Sequence, residues 1–216
     1  EWKFYLAYAE SDDGILWEKP LLNIFKYNNN SYTNIVLDCN PHGAAVIYDE
    51  EEEKEDWKYK MLAGANCDGS IYAFRSADGI HWTQIRKYPV ITTNPDCPMG
   101  LLKNADGRYV AYHRIHDYGR RIVFRSESWD FVHWSSEAKI VLEPDAGDPP
   151  LIQFYGLGST MYGFYEIGTL WIYHVDPVDL STASGYQESE LAYSRYGFGW
   201  HRAAQGEPFI PHGSIG

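Results

Sequence analysis

Four residues hold matching places in four short phrases: His42 in "NPHG", Asp96 in "NPDCP", Asp148 in "GDPPL" and His212 in "IPHG". Asp96 follows Trp82 by 14 residues, Asp148 follows Trp134 by 14, and both acids stand against proline. Carboxylates that return at one spacing, with imidazoles at related places, suit acid–base work on a bond held between them. One group gives a proton to a leaving oxygen while a second carboxylate acts opposite it. On this reading Asp96 is the general acid and Asp148 its opposing carboxylate, with their carboxyls roughly 5 to 10 Å apart. His42 and His212 complete the ring as substrate-binding donors. Glu166 is a third catalytic candidate, as the only acid in the otherwise apolar "YGFYEIG".

A second polar cluster is "YHRIHDYGRR", which holds His113, Arg114 and His116. In an extended strand His113 faces one side and Arg114 and His116 the other, and such donors reach substrate hydroxyls or a carboxylate. A surface hairpin with its polar side in water is the alternative. Tyr155 and Trp171 offer flat faces on which a sugar ring stacks, or they pack between sheets. The separations among His42, His113, His116 and His174 match no compact ligand motif. No cofactor is expected, a structural metal ion at a central pore being the lone alternative.

Something must bring these residues together, and a repeated phrase supplies it. "SDDGILW" ends at Trp17, "SADGIHW" at Trp82, "SWDFVHW" at Trp134 and "SRYGFGW" at Trp200. Serine opens each and tryptophan closes it six residues later. Asp-Gly supplies the positive φ of a tight turn, Ser and Asp can bond the turn's own amides, and the Trp offers a packing face. Phe131 and Tyr196 break the Asp-Gly pair in the later copies. The phrases are 65, 52 and 66 residues apart, which suits one four-stranded sheet plus loops, a propeller blade. β-rich runs precede each phrase, no stretch keeps a helical period, and the inner strand of every blade starts at one face, so equivalent strand starts converge on the axis. The fold is therefore read as all-β, a single propeller domain over residues 1–216. About four blades are legible, the first without its inner strands. Since unclosed sheets leave unpaired edges, the chain is expected to be part of a larger propeller, incomplete at both ends.

Composition narrows the partners. A net charge of −12 argues against nucleic acid, whose phosphates need a basic surface, and no apolar run reaches membrane-spanning length. Aromatics make up 16% of the 216 residues, which favours β-structure and aromatic-lined sites. Cys39, Cys67 and Cys97 lack zinc-type spacing and read as free thiols. The acidic run "DEEEEKEDWK" reads as a solvated loop. Compartment and oligomeric state are left open.

The stretches "YAESDDGILWEKP", "HGAAVIYD…YKMLAG", "SADGIHWTQI", "FYG…GTLWIYHVDP" and "LAYSRYGFGWHRA…PFIPHG" resemble the five-bladed β-propeller glycoside hydrolases similar to the family 32 N-terminal domain, cousins of family 43. The resemblance implies glycosidic bond hydrolysis of a plant or microbial carbohydrate by three carboxylates on inner strands: a nucleophile or base, an Asp in an "RDP" phrase and a Glu acid in an "ECP" phrase. The first would precede residue 1. Here "NPHGA" stands for "RDP", with His42 and Gly43 in place of Arg-Asp, and "DCP" stands for "ECP", with Asp96 in place of Glu. Those departures sustain a second reading, a non-catalytic carbohydrate-binding propeller. A sialidase ranks third, because its Asp box is one residue longer and no three arginines are placed to hold a carboxylate.

Overall fold

The computed structural model describes residues 3–65, 70–115, 120–180 and 184–213. Among them there is no α-helix, only a 3₁₀ turn at Glu55–Trp57, and no helix long and apolar enough to cross a membrane. Sheet I pairs β1 (Leu6–Ala7) with β2 (Ile35–Leu37). Sheet II contains β3 (Ala44–Tyr48), β4 (Tyr59–Ala65), β5 (Ser70–Ser76) and β6 (Thr83–Gln84). Sheet III contains β7 (Pro95–Lys103), β8 (Tyr109–Ile115), β9 (Val123–Ser128) and β10 (Lys139–Leu142). Sheet IV contains β11 (Ile152–Tyr162), β12 (Tyr165–Val175), β13 (Gly185–Ser194) and β14 (Trp200–Arg202).

In sheets II to IV the strands are antiparallel and their spatial order is their chain order, the up-and-down pattern of a blade. The bridge between Ile71 and Ile91 joins the third strand of sheet II to the segment that leads to sheet III, and Ser189 with Ile210 repeats it on sheet IV. The pairing of Ala7 with Ile35 is the counterpart on sheet I, so β1 and β2 are the outer part of a blade.

The repeated phrase is a turn whose conformation its own side chains determine. Ser76 Oγ accepts from the amides of Asp78 and Gly79, and Asp78 Oδ1 accepts from those of Ile80 and His81. Ser11 with Asp13 and Ser128 with Asp130 repeat the arrangement. The fourth residue is left-handed in all four copies, at φ 72 for Gly14, 74 for Gly79, 65 for Phe131 and 72 for Gly197. A side chain is strained there, yet Phe131 is fully buried, edge-on to Tyr109 and Trp134 at 5.2 and 5.6 Å. Burial of that ring, worth roughly 2 to 3 kcal/mol, offsets the strain.

Apolar side chains fill the joints between consecutive sheets. Leu37 of sheet I meets Met61, Phe74 and Trp82 of sheet II, and Leu62 and Ile71 meet Leu101, Phe131 and Trp134 of sheet III. Leu102 and Tyr112 meet Phe154, Leu170 and Trp200 of sheet IV. Trp82, Trp134 and Trp200 thus pack toward the preceding sheet. Trp200 is 9% exposed, whereas Trp17 is 60% exposed.

Each of the last two joints also holds a buried carboxylate. Asp49 accepts from Tyr109 Oη at 2.5 Å and from Lys60 and Lys103 at 3.1 Å. Burial pushes its carboxyl up, but Tyr109, Lys103 and Lys60 together outweigh this and hold it at about 2. Asp49, the first residue of the acidic run, is therefore a lock between sheets II and III, while the run from Glu53 to Asp56 is exposed as a solvated loop.

Candidate functional site

Two strand starts are built alike. Asn40 and Asn94 both take the left-handed conformation at φ 53, each is followed by a buried proline, and the next residue is His42 or Asp96. The shared geometry brings those side chains together, with His42 Nδ1 3.1 Å from Asp96 Oδ1. Close approach of the two starts depends on Gly43, where a Cβ would stand 2.8 Å from that of Cys97.

Arg114, at the end of β8, pairs its Nη2 with Asp96 Oδ2 and directs it at Cys97 Sγ, 3.3 Å away. Its guanidinium lies 4.2 Å from the ring centre of Tyr155 on β11, and Arg121 lies 4.9 Å from the same ring. Arg121 in turn donates to Gln153 Oε1 at 2.8 Å. A continuous polar string, His42–Asp96–Arg114–Tyr155–Arg121–Gln153, therefore crosses the strand-start ends of sheets II, III and IV.

The electrostatics of the string reverse the role expected of Asp96. An acid held ready to give a proton needs neighbours that disfavour its charge. Asp96 instead faces a buried guanidinium, which favours the carboxylate. The hydrogen bond to Asp96 raises the pKa of the half-exposed His42, against smaller opposing effects of burial and of Arg114. Asp96 thus favours the protonated form of His42 and orients its ring.

The other expected site residues are placed differently. Asp148 is buried in an ion pair with Arg202 on the outermost strand, at 2.5 Å, and its other oxygen accepts from the Asp145 amide. It has no face left for a substrate, which corrects its assignment as the opposing carboxylate. The 14-residue count fails because the loop before β11 is longer. The left-handed residue that precedes this strand is Leu151, at φ 71, followed by buried Ile152 and then Gln153. Gln153 thus stands where His42 and Asp96 stand in the other sheets, five residues after Asp148. The backbone pattern identifies it, and the Asp-Pro-Pro sequence conceals it.

Glu166 is also corrected. It is buried between sheets III and IV, where it accepts from Tyr112 Oη at 2.5 Å and from Arg125 Nη1 at 3.2 Å. His113 is wholly buried, with Nε2 3.0 Å from Ser126 Oγ and Nδ1 3.2 Å from the Arg114 carbonyl. Burial pushes its pKa down to about 4, so it is a neutral core group and not a sugar donor. His116 lies outside the described residues. Trp171 crosses the strand to lie over Gly156, where a Cβ would stand 2.6 Å from the indole. His212 packs on Tyr186 at 4.8 Å, and Tyr186 stacks on His174 at 4.3 Å, so it belongs to a separate aromatic group. Among the described residues no three His, Cys, Asp or Glu side chains gather as a metal site.

No protein-family model matches the sequence, and no curated protein matches it. Solved structures do share the fold. An endo-1,4-β-xylanase of Bacteroides thetaiotaomicron aligns with a TM-score of 0.57 at 14% identity, over 79% of this chain and 54% of that one. The family 32 β-fructofuranosidase of Bombyx mori aligns at 0.56 and 13% identity, over 82% and 40%. A family 43 α-L-arabinofuranosidase of Clostridium thermocellum aligns at 0.53 and 11% identity, over 74% and 49%. The chain spans about half the length of these structures. With one partial and three complete blades stacked in order, it has the fold of the five-bladed β-propeller glycoside hydrolases.

Proposed function

We propose that the protein acts on carbohydrate and hydrolyses a glycosidic bond at the strand-start face of the propeller, with His42 and Asp96 as one side of the reaction centre. The observation that carries this reading is the His42–Asp96–Arg114 string, an imidazole and a buried guanidinium set on one carboxylate, on a fold shared with glycoside hydrolases. His42 and Asp96 touch, so they act as a unit on one side of the bond. Hydrolases of this kind use carboxyl groups about 5 to 9.5 Å apart. Among the described residues Asp96 is the one carboxylate of the string, and the opposing carboxylate is left unassigned.

A non-catalytic sugar-binding propeller is the second reading. It is favoured by the engagement of Asp148 and Glu166 in buried ion pairs, which leaves Asp96 as the one carboxylate in the described string. A panel of chromogenic arabinosides, xylosides and fructosides, with arabinan, xylan and sucrose, tested on the full-length protein separates the two. Sugar released by wild type and not by Asp96→Asn supports hydrolysis. Sugar bound and never released supports the lectin, and neither binding nor release overturns both.

A further inference from the structure

We infer that Gln153 is a specificity-determining residue of this site, presenting its side-chain N–H groups to an acceptor oxygen of the bound sugar. The inference rests on the carbohydrate reading above and adds the chemistry of one contact. Three strand starts share one pattern, a left-handed residue, a buried apolar residue and a polar residue that reaches the surface: Asn40–Pro41–His42, Asn94–Pro95–Asp96 and Leu151–Ile152–Gln153. The first two place their polar side chains in contact, and Gln153 joins the same string through Arg121.

The orientation of its amide follows from that partner. A guanidinium only donates, so the group facing Arg121 Nη1 at 2.8 Å is the Gln153 oxygen, and the NH₂ group points the other way. Arg121 is held in turn over the rings of Tyr155 and Tyr173, at 4.9 and 5.1 Å, so the amide is fixed against flipping. Gln153 is half-buried, and among the described residues its Nε2 has no acceptor. Arg114, nearly fully buried in the same string, likewise has Nε and Nη1 without acceptors among the described residues. Gln153 thus adds a donor at the start of sheet IV, while Asp96 supplies an acceptor at the start of sheet III. A sugar fits this division with a hydroxyl proton toward Asp96 and an oxygen lone pair toward Gln153.

Gln153→Glu separates this role from a structural one, because glutamate keeps the size and the acceptor for Arg121 but has no N–H. The full-length wild type, Gln153→Glu and Gln153→Ala are titrated calorimetrically with arabinotriose, xylotriose and sucrose, and their thermal midpoints are measured alongside. The expected result is that an oligosaccharide bound by wild type is bound about tenfold or more weakly by both variants, with the Gln153→Glu midpoint at or above wild type. Wild-type affinity in Gln153→Glu would overturn the role of Gln153 and leave the carbohydrate reading standing. If none of the three sugars binds wild type and the glycoside panel shows no release, both fall together.

Discussion

Replacing Asp96 by Asn keeps a shape and removes the charge on which two neighbours depend. His42 loses the partner that raises its pKa, so a histidine NMR titration should show that value falling toward the ordinary one. Arg114 is left buried without its counter-charge, at a cost of about 3 kcal/mol in unfolding free energy, so loss of turnover should come with a lower thermal midpoint. Acid acts on two other residues in separate windows. His113 has a folded pKa near 4 against an ordinary 6.5, so the unfolded chain binds the extra proton first. The stability that its neutral form carries is complete above pH 6.5 and is lost as pH falls toward 4, on the order of 3 kcal/mol. Asp49, at about 2 against 3.8, keeps its contribution above roughly pH 4 and loses it only below. Urea unfolding at pH 7, 5.5 and 4 checks the first window. His113→Gln should show a smaller loss across it, and a slope equal to wild type would clear His113 of the effect.

The repeated turn was legible in the sequence because its chemistry is local. Serine, aspartate and the left-handed fourth position all lie within seven residues, and the fold class followed from their recurrence. Even the damaged copy at Phe131 keeps the conformation, because burial of its ring compensates. What spacing could not convey is what lies across a joint. Asp148 and Glu166 look alike in sequence to a catalytic acid, and only the arrival of Arg202 and Arg125 from other strands removes them from the site. Register failed for the same reason: counting from a tryptophan assumes a loop length, and the loop before β11 is longer. The four tryptophans, equivalent in the turn, should therefore differ in energy. Trp200→Ala should cost about 3 to 5 kcal/mol in denaturant unfolding, and Trp17→Ala less than about 1, since its ring is mostly exposed. Equal costs would contradict the packing described.

Across the molecule, β8 ties its neighbours together from both faces. Tyr109 donates backward to Asp49 of sheet II and Tyr112 forward to Glu166 of sheet IV, both at 2.5 Å. Glu166→Ala should loosen sheet IV against sheet III without touching the polar string. Hydrogen exchange should quicken in β11 to β14 more than in β3 to β6, and turnover of any confirmed glycoside should persist below the lowered melting point. The direction of the joints has a further consequence during synthesis. A joint lacks its large indole until the later blade's Ser-to-Trp turn has been made: Trp82 for sheets I and II, Trp134 for II and III, Trp200 for III and IV. On the ribosome the nascent chain thus completes its packing one blade in arrears, in steps of 52 to 66 residues. A pause in translation just before one of these turns leaves that interface uncapped and open to chaperones.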